Sequence, residues 1–241
     1  MPMKVWVRVV LGILLAIIIA VGAVIVWQWD NIRAIYIMLT TDEEAITQTL
    51  EEKRVEQETW LSEEYSVALL APTAEQSSAL LEGTVSPEEV KESLGITSEI
   101  EEKIAETPET EKKVLNKKKN PQKTGITKAE IENYVNLCVA ELYTCEVELM
   151  SRLGEMKKGI ETEWAMTSPK NGTTKRETIM RWLNKVYDLE VEIDGKVKAI
   201  IAKYNKILKS RGADTSGVDK LWDYYLSKKA DQKAYYMNQY L

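Results

Sequence analysis

The chain has 241 residues, 44% of them apolar and 29% charged, enough for one or two domains of ordinary size. It contains no histidine and no phenylalanine, which removes the commonest general base, the commonest transition-metal ligand and the Ser-His and Cys-His catalytic pairs. Two cysteines, Cys138 and Cys145, exclude an intrachain disulfide framework and a four-thiolate zinc site. The spacing pattern therefore predicts no catalytic, cofactor-binding or metal-binding residue, and no enzyme activity.

Residues 9–27 are uncharged and rich in Ile, Leu and Val. At about 1.5 Å per residue they nearly match the roughly 30 Å hydrocarbon layer of a bilayer. Trp6 on one side and Trp27 and Trp29 on the other suit the two interfaces. Lys4 and Arg8 precede the span, whereas Arg33 beyond it is balanced by Asp30. The positive-inside bias thus predicts a cytoplasmic N-terminus and an extracytoplasmic remainder. A cleaved signal peptide is the competing reading, given the small residues Ala20-Val21-Gly22, but the apolar run continues through Val24-Ile25-Val26. Gly12, Ala16 and Ala20 share one face of the span and form a candidate close contact between two copies.

Beyond the membrane, charge divides the chain into three. Residues 42–111 hold 20 acids and four bases, residues 112–128 hold seven lysines and no acid, and residues 129–241 are nearly balanced at 17 acids and 18 bases. Thr41 followed by Asp42-Glu43-Glu44 reads as a helix start. Ile46, Leu50, Trp60 and Leu61 give that helix only a thin apolar stripe, so residues 30–65 are predicted to be a juxtamembrane helical stalk. Residues 66–124 have the low hydropathy and high charge of a spacer that cannot offset chain entropy by burial. Two short helices are expected within it: one at Ser86-Pro87-Glu88-Glu89 stopped by Gly95, the other starting at Ser98 and ending before Pro108. The lysines are expected to be a solvated linker. They lack the interleaved aromatics that would stack nucleic-acid bases.

From residue 126 to 166 apolar residues recur at Ile131, Val135, Cys138, Leu142, Cys145, Leu149, Leu153, Met156 and Ile160, a heptad seam with one stutter. Thr127 and Glu130 fit a capping box. Residues 174–210 repeat the pattern at Ile179, Leu183, Val186, Ile193, Val197, Ile200, Tyr204 and Ile207 or Leu208, again with a capping box at Thr174 and Glu177. The connection holds Pro169 and Asn171-Gly172, so the two helices are predicted to run antiparallel. Opposite charge favours that pairing. Residues 129–166 carry eight acids and three bases, while residues 175–211 carry ten bases and five acids. Asn171-Gly172-Thr173 also matches a glycosylation sequon at the hairpin tip.

A third helix from about Val218 carries Val218, Leu221, Trp222 and Tyr225 on one face, with Tyr224, Tyr235, Tyr236 and Tyr240 besides. Such aromatic density suits either packing on the hairpin or a binding surface, for which Trp222, Tyr225, Tyr235, Tyr236 and Tyr240 are the candidates. Cys138 and Cys145, seven residues apart on one helix, cannot bridge each other. They read as buried thiols in the seam, with an interchain disulfide as the alternative.

The predicted class is all-α: a transmembrane signal-anchor (residues 9–29) after a cytoplasmic stub (1–8), the stalk (30–65), a partly disordered acidic then lysine-rich linker (66–124), and an extracytoplasmic three-helix bundle (125–241). An N-terminal anchor, a Glu-rich spacer and a helical hairpin closing with Asp214-Thr215-Ser216 and Lys233-Ala234-Tyr235-Tyr236-Met237-Asn238 together resemble small single-pass cell-envelope proteins of anaerobic Gram-positive bacteria. The resemblance implies a cell-surface setting and carries no activity or cofactor to any residue. The expected partners are the lipid bilayer, another envelope protein and a second copy of the chain, with no nucleic acid. The expected role is scaffold or interaction protein. The alternative is a sensor or regulatory subunit coupled through the membrane helix.

Overall fold

The computed structural model describes residues 43–107, 126–166 and 175–240, and among these the only regular element is the α-helix. We label the helices α1 (Glu43–Tyr65), α2 (Ala74–Glu82), α3 (Pro87–Ser93), α4 (Ser98–Glu106), α5 (Lys128–Met166), α6 (Lys175–Ser210) and α7 (Ser216–Tyr240). The described residues divide into two compact units, one within residues 53–224 and a second formed by residues 43–52 with 225–240. In the second unit Ile46, Ala230 and Asp231 are buried. The candidate membrane span, with Gly12, Ala16 and Ala20, lies outside the described residues, as do the lysine-rich run and the sequon. Among the described residues no helix is long and apolar enough to cross a membrane.

In the unit of residues 53–224, α5 is the central element and packs against α6, α2, α3 and α4. Its start follows the expected capping box: Thr127 accepts from the Glu130 amide at 3.3 Å, and Glu130 accepts from the Thr127 amide at 2.9 Å. The seam is only part of what α5 buries. Val135, Cys138 and Cys145 are buried on it, but so are Val139, Tyr143, Val147, Met150 and Gly154, at steps of four, four, three and four on a second face. Leu142, Leu149, Leu153, Met156 and Ile160, all placed on the seam by spacing, are only half-buried. A helix flanked on two sides spreads its burial over both, so the one-sided heptad reading is corrected.

What covers the second face is the region expected to be spacer. Residues 66–107 fold onto α5, and Val67, Leu69, Ala71, Leu80, Leu81, Val90, Leu94 and Ile96 are all buried. Low average hydropathy hid these short apolar clusters, each of which needs only one α5 surface to bury against. The two helices expected here form at the expected places. Ser86 caps α3 in a complete capping box with Pro87 in its first turn, and α4 follows Thr97 and ends at Glu106. A third helix, α2, was not expected; Thr73 and Gln76 form its capping box and Gly83, at φ 65°, ends it in the left-handed conformation. The segment before α2 is tied at its middle by two adjacent amides: that of Ala71 donates to Glu58 at 2.8 Å, and that of Leu70 donates to the Leu94 carbonyl at 3.1 Å.

Candidate interaction surface

The α5–α6 hairpin is antiparallel, and its register can be read from cross-helix polar pairs. Glu163 pairs with Arg181, Arg152 with Glu192, Glu148 with Lys196 and Glu141 with Lys203. Successive pairs are eleven, four and seven residues apart on α5 and the same distances apart, in the opposite direction, on α6. The charge asymmetry expected from sequence is therefore spent as a ladder of ion pairs. Arg152 meets Glu192 through both guanidinium nitrogens, at 2.6 and 2.9 Å, and Lys196 bridges Glu148 at 2.6 Å and Glu192 at 3.2 Å. These donors hold the Glu192 carboxyl down at about 2.

The core of the hairpin lies beneath this ladder. Tyr204 is fully buried and donates to Glu141 at 2.7 Å; burial first, then that carboxylate, push its phenol above the ordinary range. Cys138 is also fully buried, and burial pushes its thiol well up. Cys145 is almost as enclosed, with its thiol pushed up to about 11, burial again the main cause. Both thiols are free. A bridge to a second copy would require α5 and α6 to separate first.

Toward the hairpin tip the packing depends on a small residue. The Trp182 indole ring occupies the space where a Gly159 side chain would project, and its N–H donates to Glu163 at 2.8 Å. This fixes the rotation of α6. Thr178, Trp182, Leu189, Ile193, Val197, Ile201, Tyr204 and Leu208 face inward. Leu183, expected in the core stripe, instead faces out and is 56% exposed, which corrects that assignment. The side chain of Ile179 lies outside the described set.

The outward face of α6 carries a second apolar stripe. Met180, Leu183, Tyr187 and Val191 are 52, 56, 42 and 52% exposed at steps of three, four and four, so they share one side of the helix. At the same end of the hairpin, Trp164 and Met166 of α5 are exposed as well. Single exposed apolar residues need no explanation, but four in register over three turns form a surface. Helical spacing could have revealed it, had the core phase been drawn through Trp182.

Of the aromatic candidates on α7, Trp222 is half-buried, with the Lys198 ammonium 5.8 Å from its ring centre. Tyr225 and Tyr235 are half-buried in the other unit, and the side chains of Tyr236 and Tyr240 lie outside those described. The start of α7 is anchored by Asp214, which accepts from the Ser216 amide at 3.1 Å, so Asp214-Thr215-Ser216 works as a helix cap. Val218 and Leu221 are buried, and Tyr224 stacks on Trp60 of α1 with ring centres 5.9 Å apart. The Lys220 ammonium lies 4.2 Å from the Trp60 ring centre. Among the described residues no group of three or more acids and cysteines is arranged to hold a metal ion.

No known protein family, curated protein or solved structure matches the chain.

Proposed function

We propose that this chain is a membrane-tethered helical interaction protein, with residues 9–29 as its anchor and the α5–α6 hairpin displayed outside the cytoplasm. It acts by presentation, without catalysis. The observation that carries this reading is the stripe Met180, Leu183, Tyr187 and Val191, which is apolar and exposed on a helix whose opposite face is locked by Trp182 and the ion-pair ladder. A rigid apolar face of this kind is the form in which a helix offers itself to a protein partner. The tether is supported by the 19 uncharged residues 9–27, with Lys4 and Arg8 before them. The resemblance to single-pass envelope proteins agrees with this setting.

The test is fractionation and external proteolysis of a bacterium expressing the full chain. The chain should stay with membranes through an alkaline carbonate wash, and protease added to spheroplasts should cleave beyond residue 29. Recovery of the full chain in the soluble fraction, or protection of its C-terminal part from external protease, would overturn the reading.

A further inference from the structure

The two sides of α5 are held in different ways. Toward α6 it is fastened by the ion-pair ladder, between helices of 39 and 36 residues. Toward α2–α4 it meets short helices through apolar side chains: Leu80, Leu81, Val90 and Leu94 are buried, and the last turn of α2 sits on Gly154. The pieces of this covering segment are tied to one another. Gln76 of α2 donates to Ser93 of α3 at 2.8 Å, Lys91 of α3 pairs with Glu101 of α4 at 3.2 Å, and the Leu70 amide reaches the Leu94 carbonyl. The segment begins at Ser66, whose left-handed φ of 52° turns the chain off α1, and ends at Thr107, whose side chain lies beside the Tyr204 hydroxyl.

Helices of 9, 7 and 9 residues fall below the length of about 12–15 at which an isolated helix is even marginal in water. Detached from α5 they do not persist, so undocking and unfolding are one event, and their cross-ties make them leave together. We infer that residues 66–107 form a releasable cover, a segment that leaves α5 and unfolds in one step while the α5–α6 hairpin stays intact. Release lets Ser66 leave its costly conformation, which offsets part of the burial that is lost. What the docked cover withholds is the second face of α5. At the Tyr143 end α1 stays in place, since Gln57 donates to that hydroxyl at 3.4 Å, so the face is bared chiefly at Val147, Met150 and Gly154. It is apolar, and Gly154 admits a neighbouring backbone to direct contact, as a surface that takes a helix requires. The cover is thus an autoinhibitory contact: the hairpin offers this face only when residues 66–107 are released. The device depends on neither the membrane tether nor the α6 stripe.

Hydrogen exchange of the full chain in detergent micelles, read by mass spectrometry, tests it. The slowest amides of α2, α3 and α4 should share one exchange rate, about ten-fold or more above that of the slowest amides of α5 and α6. In Gly154→Ala that shared rate should rise several-fold while exchange around Glu192 and Lys196 stays unchanged. A thiol on the covered face gives an independent reading: Met150→Cys should react with N-ethylmaleimide at a rate that follows the exchange of α2–α4 as urea is raised within the folded range, with Cys138 and Cys145 unlabelled. Equal protection of α2–α4 and the hairpin would overturn the cover, because the unit would then open only as a whole. Unrelated rates for α2, α3 and α4 would overturn release as a single segment. Exchange of α2–α4 without labelling of Met150→Cys would show that the helices unfold without baring the face, which overturns the autoinhibitory contact.

Discussion

Gly154 of α5 lies against the last turn of α2 so closely that a side-chain carbon there would sit 2.7 Å from the carbonyl oxygen of Leu80, and equally close to that of Leu81. Both obstacles are backbone, so no side-chain rotation relieves them. Substituting Gly154→Ala should therefore push α2 off α5 and destabilise the unit by about 1–3 kcal/mol, the usual range for overpacking. Gly195 of α6 supplies the control, because nothing lies within 4 Å of the carbon added there. Gly195→Ala should stabilise by roughly 0.5–1 kcal/mol through helix propensity alone. Urea unfolding followed by circular dichroism reads both, and equal effects of the two substitutions would refute the close approach.

The two thiols provide a second check on the core. Cys138 is fully enclosed and Cys145 nearly so, and both are held protonated, the latter with a value of about 11. Since the thiolate is the reacting form, neither should be labelled by iodoacetamide at pH 7.5 on a timescale of minutes, and both should be labelled at once in denaturant. Rapid labelling of either in the native protein would mean that the seam opens or is packed otherwise. Non-reducing electrophoresis should show no disulfide-linked dimer.

Much of this hairpin was legible from sequence. Thr127-Glu130 marked the start of α5, the seam placed Val135, Cys138 and Cys145 inside, and the opposite charges of the two helices reappear as the Arg152–Glu192 and Lys196–Glu148 pairs. The rotation of α6 was not legible. Leu183 and Trp182 are adjacent and both apolar, and the choice between them is made by Gly159, which leaves room for an indole, and by Glu163, which accepts its N–H. That is information about a neighbouring helix in a known register, which the spacing within α6 does not contain. The α2–α4 region failed for another reason: averaging over a Glu-rich stretch concealed Leu80-Leu81 and Val90-Leu94-Ile96, each too short to fold alone but sufficient against a ready-made surface. The exposed stripe Met180, Leu183, Tyr187 and Val191, the basis of the functional reading, emerged only once that rotation was fixed.

Glu192 links charge to pH. Its carboxyl is held at about 2, against an ordinary 4.5, first by hydrogen bonds from Arg152 and Lys196 and then by their charges. A carboxyl with a lowered value in the folded state stabilises that state above the unfolded value and loses its contribution as pH falls toward the folded one. The ladder's contribution should thus be complete at pH 6 and fade between about 4.5 and 2. Carboxyl carbon shifts in a nuclear magnetic resonance titration should place the Glu192 midpoint below that of the other exposed glutamates. Glu192→Gln should flatten the acid limb of the stability curve. Because the pair is exposed, high salt should weaken the effect, and a midpoint near 4.5 would show that the pair does not form.

Ser66 closes α1 at a φ of 52°, a left-handed conformation that a residue with a β-carbon adopts only at a cost. The reason it does so is visible in the backbone. The Ser66 amide donates to the Ser62 carbonyl at 3.1 Å and the Val67 amide to the Leu61 carbonyl at 3.2 Å, which satisfies the free carbonyls of the last turn and turns the chain so that Val67 can bury. Glycine is the usual occupant of such a position because it lacks the β-carbon that makes the conformation costly. Ser66 is solvent-exposed, so replacing it removes no packing. Ser66→Gly should then raise stability by up to about 1 kcal/mol, the relieved strain being partly offset by the greater freedom of glycine in the unfolded chain. Ser66→Val should do the opposite, since a β-branched side chain is still less tolerant of positive φ. Thermal melts of the two variants beside the parent would decide the matter, and a glycine variant that melts below the valine variant would rule out the left-handed cap.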